Sequence, residues 1–330
     1  MEQTLGSPST SKLAPAKRPG RARRSVRSRR EAISFYLFIS PWLLGFILLT
    51  VFPLVLGFLT SLSNYDGLNL ATVQFVGPKN YARALSKDLF WTSLANSARY
   101  AIIVVPVGIT LSFLLAVMLN RPMRGRDFFR LIYYLPAILP VAGSSRVWRL
   151  LFDPNAGAVN ALIRLFRPGI VINWRLNYWW EMLYLYAWWP AGAGMVIFLA
   201  GLQGIPGELY QAAEIDGANR FQQLIKITLP LMTPVVFFQL IMGIIGALQV
   251  MVEPILIYGT ASGLSGRVDM PGRMYTYMVY TFVQVFDFQR YGYGVALSWI
   301  FFVIVLILTL IVIKSSKYWV FYRVSQEGEA

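Results

Sequence analysis

The chain contains no cysteine and no histidine among its 330 residues. Without cysteine there is neither a disulfide framework nor a thiolate metal site. Without histidine as well, the commonest metal ligands, the usual acid/base at physiological pH and the cysteine nucleophile are all missing, so a membrane enzyme would have to rely on clustered Asp/Glu. The acidic residues are instead scattered, apart from Glu208, Glu214 and Asp216. The phosphate-cradling string G-x-x-x-x-G-K-[ST] is absent too, which excludes ATP binding in that manner. Charge is scarce: 14% of residues are Asp, Glu, Lys or Arg, against about 25% in soluble domains. With 56% hydrophobic residues and a mean hydropathy of +0.54, there is too little polar surface for a water-soluble globule.

A helix that crosses hydrocarbon needs about 20 mostly apolar residues. Charge-free stretches of that order occupy 32–65, 100–120, 182–207, 227–252 and 291–313. A sixth, 131–145, spans only if it continues to about Phe152 with Arg146 and Arg149 snorkelling at its outer end. The expected fold class is therefore all-α: a polytopic membrane protein with six transmembrane helices. Lys and Arg number 18 in 1–30, 120–130, 202–230 and 314–330 but 8 in 63–92, 153–178 and 257–289. The positive-inside rule then places both the N- and the C-terminus in the cytoplasm. Residues 1–30 carry nine of those cations among Pro, Ser, Gly and Ala. They read as a disordered basic cytoplasmic tail, and the net charge of +15 implies membrane orientation and no nucleic acid. The first apolar stretch is far longer than a signal-peptide core and is expected to stay as an anchor in membrane lipid. Aromatic clusters at Tyr178, Trp179, Trp180 and at Tyr318, Trp319, Phe321, Tyr322 fit an interfacial belt. Prolines 41, 53, 106, 136, 140, 190 and 234 predict kinks within the apolar stretches, re-satisfied by neighbouring helices.

Between the fourth and fifth stretches, Ile205 to Pro230 reads as helix, glycine break and helix. Pro206 suits a helix start, and Glu208 complements the positive end of the helix dipole. Leu209, Ala212 and Ala213 follow i, i+3, i+4 spacing, and the two alanines let another surface approach closely. Gly217 can take the left-handed conformation that ends a helix. Phe221, Leu224 and Ile225 repeat the spacing before Pro230. Taken alone, this is either an ordinary interhelical linker or a knob for a partner's cleft.

The ordered string Ala212-Ala213-x-x-Asp216-Gly217-Ala218, then Ile227-Thr228-Leu229-Pro230 and Pro234, resembles the EAA loop of binding-protein-dependent ABC transporter permeases. Further strings resemble the carbohydrate-uptake branch of that inner-membrane family, similar to maltose and glycerol-3-phosphate permeases of MetI-like fold. These include Phe75-Val76-Gly77-Pro78-x-Asn80-Tyr81, Trp91-Thr92-Ser93-Leu94-x-Asn96-Ser97, and Arg124-Gly125-x-x-Phe128-Phe129-Arg130 followed by Tyr134-Leu135-Pro136. Trp148-x-x-Leu151-Phe152, Gly157, Asn160-Ala161-Leu162 and Tyr291-Gly292-Tyr293-Gly294 continue the order to about residue 314. Two positions depart from the pattern: Gln211 stands where Glu is usual, and Leu224 where Phe is usual.

The resemblance implies that residues 202–230 form a coupling loop whose Glu208, Gln211, Ala212, Ala213, Asp216, Gly217, Ala218 and Phe221 dock on a cytoplasmic ATPase dimer. It implies a second homologous permease subunit and an extracytoplasmic solute-binding protein as further partners. No cofactor is expected in this chain; ATP and Mg belong to the partner ATPase, so the chain is not itself an enzyme. The implied layout is a tail at 1–30, a first transmembrane helix and outer loop at 31–90, a permease core at 91–314 and a cytoplasmic tail at 315–330. The implied function is import of a sugar or related polar solute across the cytoplasmic membrane. Candidate substrate-pathway residues are Trp188, Trp189, Gln239, Gln249 and Glu253, whose rings, amides and carboxylate suit a sugar. Each is equally read as an interfacial tryptophan, an interhelical hydrogen bond or, for Glu253, a carboxylate in water at a helix end. The alternative class is an ion-coupled secondary transporter, which would require carboxylates at the membrane midplane.

Overall fold

The structure, a computed structural model, describes residues 26–261 and 268–321. Most of the expected basic tail, Tyr322 and the rest of the C-terminal tail lie outside the described residues. The first apolar stretch is helix α1 (Val26–Phe46), a π-helical turn (Ile47–Val51) and helix α2 (Phe52–Ser61). In that turn the Phe52 N–H reaches back to the Ile47 carbonyl, immediately before Pro53. The wider turn draws the preceding carbonyls away from a ring that has no N–H to offer them. The chain divides into two compact units after Leu56. In the first, the apolar side chains stand exposed, Phe38 at 87% and Leu49 at 80%.

The second unit is built from α3 (Lys79–Leu85), α4 (Asp88–Leu119), α5 (Arg126–Ile138), α6 (Val141–Leu151), α7 (Ala158–Phe166) and α8 (Trp174–Asn177). It continues through α9 (Trp179–Trp188), α10 (Gly192–Gln203), α11 (Gly207–Ile215), α12 (Arg220–Gln223), α13 (Leu229–Leu231) and α14 (Thr233–Leu248). Helix α15 (Val252–Tyr258), a two-residue antiparallel pair of strands β1 (Thr260–Ala261) and β2 (Val268–Asp269), α16 (Tyr277–Phe282) and α17 (Tyr291–Ser316) complete it. Among the described residues, four helices can cross a membrane by length and composition: Ile33–Ser61, Asp88–Leu119, Trp179–Gln203 and Tyr291–Ser316. The pair Arg220–Leu231 and Thr233–Leu248, bent by 63° at Met232, makes a fifth if its two halves are one span.

The stretch expected as one helix over 131–152 is two. Helix α5 ends at Ile138, Leu139 takes an extended conformation, and α6 restarts after Pro140. Leu139 precedes a proline, whose ring disfavours the helical region for the residue before it. A count of charges cannot see that break. The other interruptions also follow the sequence: Trp189-Pro190-Ala191 separates α9 from α10, and Gln249-Val250-Met251 separates α14 from α15.

Every such interruption strands backbone groups that hydrocarbon cannot satisfy. A hydroxyl donates to a carbonyl at each one, alone at Val250 and beside the helical N–H at Ala191 and Pro140. Ser112 Oγ donates to the Ala191 carbonyl at 2.8 Å, Thr276 Oγ1 to the Val250 carbonyl at 2.7 Å, and Ser144 Oγ to the Pro140 carbonyl at 3.1 Å. By contrast α4 runs uninterrupted for 32 residues, and α9, α10, α14 and α16 all pack on it.

Two apolar clusters fill the second unit. The larger is aromatic, with Phe90, Tyr100, Trp180, Tyr184, Tyr186, Tyr258 and Tyr277 buried together. The smaller joins Phe113, Ala116 and Leu119 of α4 to Met195, Phe198, Leu199 and Leu202 of α10 and to Met232. Connections are pinned by amides from the strings singled out above. Asn80 donates to the Ser61 and Ser63 carbonyls, Asn96 to the Arg273 and Tyr275 carbonyls, and Asn160 to the Pro154 and Ile172 carbonyls. Ser97 Oγ accepts the Tyr277 N–H at 2.8 Å.

Thr276 is fully buried, so Thr276→Val, which keeps the shape and removes the hydroxyl, leaves the Val250 carbonyl unsatisfied. The expected loss is about 1–2 kcal/mol, read as a lower unfolding midpoint in detergent. Thr72→Val, at an exposed loop position, is expected to leave the midpoint unchanged.

Candidate functional site

The three interruptions converge on one cavity of about 580 Å³. Val141 begins α6, Pro190 and Ala191 form the break before α10, and Gln249 to Val252 form the break before α15; all of them line it. Helix α4 supplies the facing wall, including Tyr100, Val105, Gly108 and Ser112. Irregular backbone at membrane depth is tolerated where it lines a cavity, which explains why the breaks gather here.

Space in the cavity comes from small residues. Gly108, Ala187, Gly194, Gly243, Gly246 and Ala247 contribute to its walls. Gly194 is held so close to its neighbours that a Cβ there would stand 2.6 Å from Ser112 Oγ and 2.8 Å from Gln239 Nε2. Polar groups are few and spaced: the hydroxyls of Tyr100, Tyr186 and Ser112, the amides of Gln239 and Gln249, and the carboxylate of Glu253. Tyr186 is already engaged, its hydroxyl 2.8 Å from Ser144 Oγ. Among the described residues, Glu253 is the one Asp, Glu, Lys or Arg that lines the cavity. A space of this size with a handful of convergent polar groups suits a small polar ligand.

Of the residues picked from sequence, Gln239, Gln249 and Glu253 come together on this cavity, whereas Trp188 and Trp189 do not line it. Trp188 donates from Nε1 to the Val104 carbonyl at 3.3 Å and stacks on Tyr184, and Trp189 packs against Trp148 and Tyr186. Sequence reasoning passed over Tyr100, Ser112 and Gly194. The signal for the last two was a small or hydroxylated residue within a long apolar run, a weak one because such residues also serve plain helix packing.

Beyond α15 the chain is clamped. Arg149 donates to the Gly259 carbonyl at 2.7 Å and Arg175 to the Tyr258 carbonyl at 3.2 Å, so two cations meet the negative end of the helix. Arg149 therefore has a specific partner in place of the snorkelling expected of it. Nearby Asp153 accepts the N–H groups of Ala156 and Asn155, which hold its carboxyl below the usual range.

Residues 202–230 form a second centre. Helix α11 ends in a Schellman turn: Gly217 has φ +79°, its N–H reaches the Glu214 carbonyl, and the Ala218 N–H reaches the Ala213 carbonyl at 2.8 Å. Helix α12 then opens with a reciprocal cap that sequence reasoning missed. Asn219 Oδ1 accepts the Gln222 N–H at 2.9 Å, and Gln222 Oε1 accepts the Asn219 N–H at 2.8 Å. The spacing Asn-x-x-Gln was the available signal. The two helices are tied by Tyr210 and Thr228, whose hydroxyls lie 2.9 Å apart. A π-helical turn (Leu224–Thr228) before Pro230 repeats the device seen before Pro53.

Glu208, Gln211, Ala212, Asp216, Gly217 and Phe221 are exposed, and Ala213 and Ala218 are half-buried. Ile215 is 87% and Phe221 68% exposed, large apolar groups on a short, rigid knob. Between this knob and the end of α4 lies a cleft of about 820 Å³, lined by Arg121, Glu214, Arg220 and Phe221 among others.

A sequence model of the family described as "Binding-protein-dependent transport system inner membrane component" matches residues 108–326. The probable ABC transporter permease protein YesP of Bacillus subtilis is 36% identical over 314 residues, covering 92% of this chain and 97% of that one. The arabinooligosaccharides transport system permease protein AraP of Halalkalibacterium halodurans is 31% identical over 279 residues, covering 83% and 85%. Among solved structures, a chain of a bacterial alginate ABC transporter in complex with an alginate pentasaccharide-bound periplasmic protein has the same fold. Its TM-score is 0.75 at 20% identity, with 89% of this chain and 97% of that one covered.

The Asn219 cap and the Gly217 turn set the local stability of the knob. Asn219→Ala is expected to cost about 1 kcal/mol and Gly217→Ala about 1–2 kcal/mol. Amide hydrogen exchange should accelerate accordingly over 207–228 in both variants and stay unchanged in α4.

Proposed function

Because the chain belongs to the family of binding-protein-dependent transport system inner membrane components, and so is a multi-pass permease of the ABC transporter class in the cytoplasmic membrane, we propose that it carries a sugar or related polar solute inward. The observation that carries this reading is the cavity: a space among apolar helices, its walls mostly apolar, with the few polar groups of Gln239, Gln249 and Glu253 on its lining. Sugars hydrogen-bond to such amides and carboxylates. The relative that handles arabinooligosaccharides supports the same class of cargo. The ion-coupled alternative calls for carboxylates at the membrane midplane, and the charge-free stretches contain none.

In the proposed topology the chain crosses six times, with the α5–α6 pair as the third crossing and both termini cytoplasmic. The excess of Lys and Arg on the segments assigned to the cytoplasm, 18 against 8, supports that orientation. The coupling loop, 202–230, then faces the cytoplasm, where Ile215 and Phe221 would be covered by a separate ATPase dimer that holds ATP and Mg. A second homologous permease completes the pathway, and an extracytoplasmic solute-binding protein delivers cargo. Gln211, an exposed amide, offers that ATPase hydrogen bonds where a carboxylate is usual in the family. The tail at 1–30 is assigned to orientation and solvation only.

Three measurements test this. Gly217→Pro is expected to insert normally and to lose binding-protein-stimulated ATP hydrolysis in liposomes; unchanged hydrolysis would refute the placement of the coupling turn. Gly194→Val, which forces both Ser112 and Gln239 aside, is expected to cut solute uptake by about tenfold or more while inserting normally, since losing one or two hydrogen bonds costs about 1.4 kcal/mol or more. Removal of residues 2–25 is expected to leave uptake intact, and loss of uptake despite correct insertion would give the tail a different role.

A further inference from the structure

Helix α7 uses its two faces differently. Asn160, fully buried, also accepts Trp174 Nε1 at 2.9 Å in addition to its two donated bonds, and Arg164 donates to the Pro154 and Asn155 carbonyls. Its polar face is thus consumed in fastening the helix to its own connection. The other face carries Leu162, Leu165 and Phe166 at i, i+3, i+4 spacing, and they are 60%, 75% and 86% exposed. Those exposures equal the ones on the apolar anchor helix, where Phe38 is 87% and Leu49 80% exposed. Water is a poor medium for such a stripe, because each Å² of apolar surface taken out of water contributes about 25 cal/mol.

Where the stripe lies is restricted by its tethers. Six residues join Leu151 to Ala158, and α6 packs on α7. On the far side twelve residues lead from Phe166 to Trp179, where the spanning helix Trp179–Gln203 begins. Exposed apolar groups continue on both flanks, Val147 and Leu150 on α6 and Val171, Leu176 and Tyr178 before α9. Arg167, exposed, follows Phe166 directly and sets a cation at the rim of the stripe, where headgroup phosphates would meet it. An amphipathic helix moored at the mouth of a span, with an apolar face and a basic edge, has the features of one that lies in the interfacial plane.

We propose that α7 is an interfacial helix whose Leu162, Leu165 and Phe166 are immersed in phospholipid beside the end of the Trp179–Gln203 span. It anchors the loop that carries Arg175 and so steadies the clamp on α15 next to the cavity. This goes beyond the transport reading and does not depend on the identity of the cargo.

The absence of cysteine makes the test direct. Leu162→Cys, Leu165→Cys and Phe166→Cys, with Ala156→Cys in the exposed loop as the reference, are each spin-labelled in the complete transporter, in liposomes of phosphatidylethanolamine and phosphatidylglycerol. The ratio of label accessibility to oxygen over a water-soluble nickel chelate is expected to be about tenfold higher at the three stripe positions than at the reference, as for side chains sunk among acyl chains. A ratio equal to the reference would put the stripe in water and overturn the proposal. Labels immobilised and shielded from both reagents would show a protein partner over the stripe and overturn it equally.

Discussion

Backbone carbonyls that lose their helical partner inside an apolar molecule must find another, and the architecture around the cavity follows from how this chain meets that demand. Val250 presents such a carbonyl and receives the Thr276 hydroxyl, whereas the Ala191 and Pro140 carbonyls keep the N–H groups of Met195 and Ser144 and accept the Ser112 and Ser144 hydroxyls as second donors. A net gain of about 1 kcal/mol understates the Val250 bond, since the alternative there is a stranded group in a low-dielectric setting. The hydroxyl donors are not on the broken segments alone: Ser112 belongs to α4 and Thr276 to the start of α16. The breaks are therefore held open by neighbours, and the unbroken α4 is the reference against which they are fixed.

The same logic connects the cavity to the coupling loop in the proposed cycle. Tyr210 to Thr228 and the reciprocal Asn219–Gln222 cap make α11 and α12 one rigid piece. That piece runs through α13 into α14, whose Gln239 lines the cavity, and the bend of 63° between the two halves supplies a lever arm. Thr233 at the bend accepts the Phe321 N–H at 2.9 Å, and Trp319 packs on Phe237, so the far end of the chain braces the same joint. In the proposed cycle, motion of the knob would pass to α14 through this joint. Nucleotide and loaded binding protein can bias that motion only by binding its end states unequally.

Much of this was legible in the sequence, for identifiable reasons. Long charge-free stretches locate the anchor, α4, the α9–α10 crossing and α17, because a single physical requirement, about 20 apolar residues, governs them. The turn at Gly217 was legible because only glycine takes a positive φ at little cost. The α5–α6 pair was not, since counting charges ignores what Pro140 does to Leu139. For the cavity, amides and a carboxylate in apolar surroundings were informative, whereas Trp188 and Trp189 were not, since an indole needs only one acceptor and Trp188 finds it at Val104. Asn80, Asn96 and Asn160 stood out only as parts of strings resembling a family. Their task, bridging carbonyls 177 and 179 residues away for Asn96 and within one loop for Asn160, depends on contacts that spacing does not encode.

Rigidity and vacancy in this site are assigned largely to different residues. Trp180, Tyr184 and Trp188 recur at intervals of four along α9 and stack with centroids 5.5 and 5.8 Å apart, while Tyr100 of α4 stacks on Tyr184 and Arg99 lies 4.7 Å over Trp180. Such offset aromatic contacts add about 0.5–1.5 kcal/mol each beyond buried area, so they stiffen the wall and leave the cavity's volume to others. That volume is made by missing side chains at Gly108, Ala187, Gly194, Gly243 and Ala247. Adding a methyl group at Gly108, where a Cβ meets nothing closer than Trp188 at 3.9 Å, changes what fits while the stacked ladder and the three breaks stay in place, whereas at Gly194 it strikes Ser112. Tyr100 and Ser112 do both jobs, lining the cavity while holding the helices through the Tyr184 stack and the Ala191 carbonyl, so at those two positions the shape of the space and the frame around it change together.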